Sequence, residues 1–235
     1  MRTAIYGWRL RSKRVDNCSP SPSAFLKKVK NVLYYSLKVL IFFNNFCQIE
    51  RGGLFDGMIL ERFFPDIYLP SVYDLPLETL REMGIRGLVF DIDNTIAPFD
   101  VADPDEKLIA YFAHLRAQGF RLCILSNNNQ KRVHRFNQPL RTLAIHKAGK
   151  PSPRKLKAAL AKLGLVPQEA ALVGDQVFTD MWCGHRGGLY CIMTAPICAR
   201  DQLITKVKRG AERCVMRVYF RRNGIAQPPK VKKNL

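Results

Sequence analysis

Short apolar runs alternate with segments of helical periodicity along the middle of the chain. The apolar runs lie at residues 87–90, 120–125, 142–145, 170–173 and 189–193, and the helical segments lie at about 104–118, 129–137 and 152–162. Apolar runs of this length are typical of strands that are buried on both faces. Strands joined by crossover helices lie parallel, so the pattern predicts an α/β domain with a central parallel sheet between two layers of helices.

The ends of two helices are marked by capping residues. Asp103 is the predicted N-cap of the first helix, because Pro104 suits the first turn and Glu106 completes a capping box. Gly119 and Gly164 are predicted to end the first and the third helix.

Four polar motifs follow the predicted strands. They are Asp91-Ile92-Asp93-Asn94-Thr95, Ser126-Asn127-Asn128-Asn129, Lys150 between Gly149 and Pro151, and the run from Gly174-Asp175 to Asp180. Ligands bind at the carboxyl ends of the strands in parallel α/β sheets. The four motifs therefore predict one site at that edge of the sheet.

Asp91 and Asp93 directly follow a buried strand, where two carboxylates are costly unless a cation compensates them. In one interpretation, Asp91 attacks phosphorus and becomes an aspartyl phosphate, while Asp93 acts as general acid and then as general base. In the other interpretation the segment is an ordinary turn and helix cap, because Asp, Asn and Thr all favour turns.

The other three motifs suit a phosphate and a hard cation. The hydroxyl of Ser126 and the backbone N–H groups after it could hold phosphoryl oxygens, and Lys150 adds a positive charge. Asp175 and Asp180 offer oxygen ligands of the kind that Mg²⁺ takes. Each motif alone is also compatible with a cap, a loop or a solvated side chain; their order at successive strand ends is more specific than any one of them.

That order resembles the haloacid dehalogenase (HAD) superfamily of phosphatases. The runs 69–95, 150–160 and 174–184 are similar to the YqeG-type branch of subfamily IIIA, which is itself similar to the mitochondrial phosphatidylglycerophosphate phosphatase of yeasts. The resemblance covers about residues 60–200. It implies a Rossmannoid three-layer sandwich with a central parallel sheet, and Mg²⁺ as the cofactor.

The resemblance also implies a role for each matching residue. Asp91 and Asp93 would be catalytic. Substrate would be bound by Thr95, Ser126, Asn127 and Lys150. The metal would be bound by Asp91, by Asp93 through its backbone carbonyl, by Asp175, and by Asp180 either through a water molecule or as an orienting acid.

The formal net charge of +19 belongs mainly to the two ends of the chain. Residues 1–57 carry ten Lys and Arg against three Asp and Glu, and residues 197–235 carry eleven against two, whereas residues 58–196 carry seventeen against fourteen. A basic surface of this kind favours anionic membranes, nucleic acid or acidic substrates. The hydrophobic fraction of 47% excludes a largely disordered chain.

Several other classes of protein lack support in the sequence. The seven cysteines form no CxxC pair and fit a reduced, cytoplasmic protein. The four histidines show no zinc spacing, and neither a GxGxxG nor a Walker motif is present in the sequence.

Residues 1–57 form a basic, partly apolar N-terminal extension. Its apolar stretch 32–47 is about four residues short of a membrane span and contains Lys38, Asn44 and Asn45, which favours an interfacial helix over a span. A transit peptide is one alternative for this segment, and a natural translation start at Met58 is another. The domain organisation is then an extension at 1–57, a HAD-like domain at 58–200 and a basic tail at 201–235.

Two features suggest the substrate. The intervals between the motifs hold one helix and one strand each, which leaves no room for a cap domain. A phosphate presented on a bulky object therefore fits the site better than a small metabolite.

The second feature is a basic amphipathic helix near the C-terminus. Its apolar residues recur at helical spacing, and its basic residues lie on a different face; the apolar residues are Ile204, Val207, Ala211, Val215 and Val218, and the basic residues are Lys206, Arg209, Arg213 and Arg217. This helix suits anionic lipid at the inner face of a membrane, or it packs its apolar side on the core and leaves its basic side in solvent.

The sequence therefore predicts a Mg²⁺-dependent phosphomonoesterase that acts through an aspartyl phosphate, with phosphatidylglycerophosphate as the leading substrate. One alternative is a phosphatase for a protein, a nucleic acid or a small ester. Another is a non-catalytic basic protein that keeps the fold and binds RNA or ribosomes.

Overall fold

The computed structural model describes residues 60–198 and 203–226. The N-terminal extension predicted at 1–57 lies outside the described residues. The strands are β1 (Ile67–Leu69), β2 (Gly87–Phe90), β3 (Arg121–Leu125), β4 (Leu143–Ile145), β5 (Ala170–Gly174) and β6 (Tyr190–Thr194). The helices are α1 (Leu77–Glu82), α2 (Glu106–Ala117), α3 (Gln130–Leu140), α4 (Arg154–Leu163), α5 (Trp182–Gly187) and α6 (Leu203–Arg222).

The strands form one sheet in the order β1-β6-β5-β2-β3-β4, and every neighbouring pair is parallel. The predicted parallel sheet is therefore confirmed. The chain proceeds from β2 to β3 and β4 on one side, and then returns to place β5 and β6 on the other side of β2. This reversal of direction opens a crevice at the carboxyl ends of β2 and β5, where parallel sheets bind ligands.

Successive side chains of β2 enter opposite layers, as the period of a strand requires. Leu88 and Phe90 pack in one cluster with Phe112 of α2 and Phe136 of α3. Val89 packs in a second cluster, which includes Leu156 and Leu160 of α4. Helices thus cover both faces of the sheet, which confirms the three-layer sandwich.

The start of α2 differs from the prediction. Asp105, rather than Asp103, is the N-cap, and its carboxylate accepts a hydrogen bond of 2.8 Å from the N–H of Leu108. Asp105 is itself extended, with φ −77° and ψ 167°, as an N-cap residue usually is, so the helix begins after Asp105 and later than predicted. Asp103 instead pairs with Arg135 of α3. Gly119 follows the end of α2 with φ +88°, and Gly164 caps α4 with φ +63°, as predicted.

Helix α6 buries its apolar side against the domain. Val215, Met216, Tyr219 and Phe220 pack with the segment 60–64 and with the π-helical turn Val177–Met181. Arg217 and Arg221 are exposed on the other side of this helix. Within the described residues, no helix is both long enough and apolar enough to cross a bilayer.

A second group of side chains that could bind a metal lies at the amino ends of β1 and β6. It consists of Asp66, His185 and Cys191. The N–H of Cys191 donates to Asp66 Oδ2 at 2.6 Å, and the N–H of Asp66 donates to the carbonyl of Cys191 at 2.8 Å. His185 Nε2 lies 2.6 Å from the carbonyl oxygen of Phe64. These bonds attach β1 to β6, so the group has a structural role.

Candidate active site

The predicted site residues converge at the carboxyl edge of the sheet. Asp91 continues from β2, and its N–H donates to the carbonyl of Val173 on β5 at 3.0 Å. Asp175 directly follows β5, and Ser126 directly follows β3. The side chains of all three predicted site residues are buried.

Lys150 reaches this edge from the loop before α4. Its Nζ lies 2.8 Å from Asp91 Oδ1 and 2.6 Å from Asp180 Oδ1. Burial alone would lower the pKa of Lys150, but the carboxylates of Asp180 and Asp91 outweigh it and raise the pKa above its ordinary value. Lys150 is therefore a permanent cation at the centre of the site.

Asn127 binds the backbone of Lys150 with both ends of its amide. Its Oδ1 accepts from the N–H of Lys150 at 2.8 Å, and its Nδ2 donates to the carbonyl of Lys150 at 3.2 Å. The sequence predicted Asn127 as a substrate-binding residue. In the structure its amide contacts the backbone of Lys150 and helps to position that lysine, and the predicted contact of Asn127 with substrate stays a prediction.

Asp91, Asp175 and Asp180 form a cluster of three buried carboxylates whose oxygens lie within 4.8 Å of one another. The π-helical turn after Asp175 brings Asp180 back over the end of β5, where Asp180 Oδ2 accepts from the N–H of Gln176 at 3.2 Å. Thr95 Oγ1 donates to Asp175 Oδ1 at 3.3 Å. Thr95, predicted to bind substrate, thus contacts a cluster carboxylate.

The charges of this cluster fit a divalent cation. Three buried carboxylates face one ammonium, and an excess of buried negative charge is costly unless a cation compensates it. Burial raises the pKa of Asp91, with Lys150 opposing the rise and Asp180 and Asp93 adding to it. An all-oxygen donor set is what Mg²⁺ prefers, so Asp91, Asp175 and Asp180 are the side chains that would hold it.

The carboxylate of Asp93 lies outside this cluster. Its Oδ1 accepts from Arg132 Nη2 at 2.6 Å and from Nε at 3.1 Å, and its Oδ2 accepts from Asn128 Nδ2 at 2.5 Å. The side chain of Asp93 is 26% exposed, whereas those of Asp91 and Asp180 are 8% and 0% exposed. A metal role for Asp93 would therefore have to use its backbone carbonyl, as the resemblance implies.

Ser126 lies between the end of β3 and the loop that carries Lys150. Its Oγ accepts from the N–H of Asn128 at 3.2 Å, and its carbonyl accepts from the N–H of Ala148 at 2.9 Å. The hydroxyl is buried, and its position close to the motifs of Asp91 and Lys150 is compatible with the predicted contact to phosphate.

Arg132 was not predicted as a site residue. It lies in the first turn of α3, six residues after Ser126, and the sequence there reads as an ordinary basic helix. The one feature of the sequence that could have indicated a role for Arg132 is its position shortly after the Ser126 motif. A side chain there starts near the carboxyl end of β3, close to the predicted site.

These features define a class: an α/β protein with a parallel sheet, a buried candidate carboxylate nucleophile, a fixed lysine and an acidic cluster that could bind a cation. Residues 98–188 match the family described as haloacid dehalogenase-like hydrolase. The chain is also 31% identical over 168 residues to "Probable phosphatase YqeG" of Bacillus subtilis, a match that covers 72% of this chain and 98% of that protein. The chain belongs to the haloacid dehalogenase-like hydrolase family, in which it is a HAD-type phosphatase.

Two eukaryotic relatives are more distant. The chain is 24% identical over 176 residues to "Phosphatidylglycerophosphate phosphatase 1, chloroplastic/mitochondrial" of Arabidopsis thaliana, covering 67% of this chain and 48% of that one. It is 25% identical over 142 residues to the chloroplastic enzyme of the same name from Chlamydomonas reinhardtii, covering 57% and 53%. The chain thus spans about half the length of these two relatives.

Among solved structures, the chain is similar to a putative 3-deoxy-D-manno-octulosonate 8-phosphate phosphatase from Vibrio cholerae. The TM-score is 0.42 at 14% identity, and the match covers 64% of this chain and 93% of that one.

Proposed function

We propose that this phosphatase is a Mg²⁺-dependent phosphomonoesterase that forms an aspartyl phosphate on Asp91 and hydrolyses phosphatidylglycerophosphate at a membrane surface. The observation that carries the proposal is the contact of Lys150 with both Asp91 and Asp180 inside the carboxylate cluster. This arrangement supplies an aligned carboxylate beside fixed positive charge, which is what phosphoryl transfer requires.

In the first step, Asp91 would attack phosphorus and the bond from phosphorus to the leaving oxygen would break. Asp93 would give its proton to that oxygen, so that the product alcohol leaves neutral. Lys150 and Ser126 would hold the phosphoryl oxygens during the transfer. When bound, Mg²⁺ supplies further positive charge to those oxygens.

In the second step, Asp93 would accept a proton from water. The water oxygen would attack phosphorus, and the bond from phosphorus to Asp91 would break. This releases inorganic phosphate and returns both carboxyl groups to their starting protonation states, with the proton again on Asp93.

The openness of the site favours a phosphate carried by a large object. Between Asn94 and Asp175, the described chain contains α2, β3, α3, β4, α4, a 3-10 turn at Pro167–Glu169, β5 and short connections, with no inserted domain over the crevice. A lipid headgroup at a membrane surface can enter such a site without being enclosed. The names of the two eukaryotic relatives support the same substrate class.

Helix α6 adds an electrostatic argument for an anionic membrane. Arg213, Arg217 and Arg221 are exposed at intervals of four residues, while Val215 and Phe220 are buried against the domain. Since the apolar side is buried in the protein, contact with lipid would be electrostatic rather than insertion into the acyl chains. We place the protein in the cytoplasm, bound peripherally at the inner face of the membrane.

The test is phosphate release from phosphatidylglycerophosphate in mixed micelles, for the wild type and for Asp91→Asn, with p-nitrophenyl phosphate as a soluble comparison. We expect Mg²⁺-dependent turnover of the lipid well above that of the aryl ester, and its loss in Asp91→Asn. Turnover of the aryl ester alone would support phosphatase activity but reject phosphatidylglycerophosphate as the substrate. Unchanged activity in Asp91→Asn would reject the covalent mechanism.

The basic charge also supports a second candidate, a binding protein for RNA or ribosomes on the same fold. Binding to vesicles of phosphatidylglycerol and to RNA separates the two functions. Arg217→Glu combined with Arg221→Glu is expected to weaken vesicle binding. Lys157→Glu combined with Lys162→Glu, on exposed positions of α4, is the matched control. Tight RNA binding without phosphatase activity would favour the second candidate.

A further inference from the structure

Arg132 is the side chain that contacts the proposed acid, Asp93, most extensively. Nη2 lies 2.6 Å and Nε lies 3.1 Å from the same carboxylate oxygen, Oδ1. The side chains of the pair are 16% and 26% exposed. The two groups are therefore partly exposed, whereas the carboxylate cluster is buried.

The guanidinium group of Arg132 is itself held by backbone. Nη1 donates to the carbonyl of Val101 at 2.7 Å, and Nη2 also approaches the carbonyl of Pro98 at 3.4 Å. Both carbonyls belong to the loop between the Asp91 motif and α2. The planar group thus has contacts on the loop as well as on Asp93, and a single orientation satisfies all of them.

The second oxygen of Asp93 has a different partner. Asn128 Nδ2 donates to Oδ2 at 2.5 Å, and the backbone of Asn128 is fixed by an N–H bond to Ser126 Oγ and by a bond from the N–H of Lys147 to its carbonyl. A carboxylate oxygen can accept about two hydrogen bonds. Oδ1 already receives two from Arg132, so Oδ2 is the oxygen with capacity for a proton.

We propose that Arg132 is a positioning residue that fixes the carboxyl group of Asp93 so that Oδ2 carries the transferred proton. This inference rests on the proposed function. In the first step, the proton passes from Oδ2 to the leaving oxygen as the bond from that oxygen to phosphorus breaks. In the second step, Oδ2 takes a proton back from the attacking water.

The experiment compares wild type, Arg132→Ala and Arg132→Lys on two soluble esters, p-nitrophenyl phosphate and phenyl phosphate. The phenolate of phenyl phosphate is the more basic leaving group, so its departure depends more on a proton from Asp93. The ratio kcat/KM is the proper readout because it reports the steps through departure of the leaving group. Arg135→Ala is the matched control, since Arg135 lies one turn further along α3 and pairs with Asp103 outside the site.

We expect Arg132→Ala to lower kcat/KM for phenyl phosphate by about 100-fold, within the contribution of a positioned acid, and that for p-nitrophenyl phosphate by less than about 5-fold. Arg132→Lys should recover only part of the loss, because an ammonium lacks the planar pair of donors that Oδ1 receives. Inhibition by inorganic phosphate should stay unchanged in each variant, as should the activity of Arg135→Ala.

An equal loss for the two esters, together with weaker inhibition by inorganic phosphate, would overturn the inference and make Arg132 a direct phosphate ligand. Full recovery of kcat/KM in Arg132→Lys would also overturn the inference, because a positive charge without the planar guanidinium group would then be enough for Asp93 to act. If Arg132→Ala does not fold, judged by its circular dichroism and Tm, the leaving-group comparison for Arg132→Lys decides the question. If the wild type hydrolyses neither these esters nor the lipid, the proposed function itself fails. An active wild type with equal losses for the two esters in Arg132→Ala would reject only the role of Arg132.

Discussion

The ammonium group of Lys150 lies 2.8 Å from the carboxylate of Asp91, and both side chains are buried. Removing one partner of such a pair leaves a buried charge without compensation, which costs about 3–5 kcal/mol. Without added metal, Lys150→Met is therefore expected to lower the free energy of unfolding by about 3 kcal/mol. Urea unfolding followed by circular dichroism measures this change.

Lys162→Met is the matched control for that measurement. Lys162 is an exposed lysine in the last turn of α4, and its loss should change the free energy of unfolding by less than about 0.5 kcal/mol. Equal stability of Lys150→Met and wild type would show that the three carboxylates of the cluster are not all ionised in the folded protein.

The excess negative charge of the cluster predicts stabilisation by Mg²⁺. A ligand that binds only the folded state adds about 2.7 kcal/mol at one hundred times its Kd, so Tm should rise with Mg²⁺ and fall again with a chelator. Asp175→Asn should reduce this rise strongly, because it removes one of the three carboxylates. Asp103→Asn removes an exposed acid outside the cluster, so this variant should show the same rise in Tm as wild type. A similar rise in Tm for Asp175→Asn would place the metal elsewhere.

The sequence predicts the location of the site, because that location depends on the topology of the sheet. The central strands β2 and β5 are continuous apolar runs because helices cover both of their faces, and parallel strands bring their carboxyl ends to one edge. The meeting of Asp91 and Asp175 follows from these two facts, and Lys150 reaches them from the loop between β4 and α4. Their individual catalytic roles remain predictions.

Elements that depend on tertiary contacts were not predicted. Strand β1 has only three half-buried residues and lies close to Pro65 and Pro70, so no alternating pattern marks it in the sequence. Arg132 and Asp93 are 39 positions apart and meet only because α3 begins beside the loop that follows β2. An arginine on a polar helix carries no local sign of such a partner.

Burial raises the pKa values of the Cys123 and Cys183 thiols to about 12. At pH 8 only about one such thiol in ten thousand is a thiolate, the form that reacts. Iodoacetamide should therefore modify these two cysteines far more slowly than the half-buried Cys198 and Cys214, as measured by peptide mass spectrometry. In urea the four rates should become similar. Rapid modification of Cys183 in the folded protein would indicate local opening beside Lys150.

Gly174 leaves the space that the side chain of Asp180 occupies. A Cβ at position 174 would lie 2.4 Å from Asp180 Cβ and 2.5 Å from its Cγ, distances that require one group to move. Gly174→Ala should therefore displace Asp180 from Lys150, lower the free energy of unfolding by about 1–3 kcal/mol as overpacked sites do, and abolish phosphatase activity.

Gly210→Ala is the matched control for this substitution. Gly210 lies in α6 with nothing within 4 Å of an added Cβ, so alanine should stabilise the helix by up to about 1 kcal/mol and leave activity unchanged. Opposite shifts in Tm for the two variants, measured by circular dichroism beside activity, would establish that contact with Asp180 limits position 174. A Gly174→Ala variant that keeps both its activity and its rise in Tm with Mg²⁺ would contradict the prediction that the added methyl group disrupts the site.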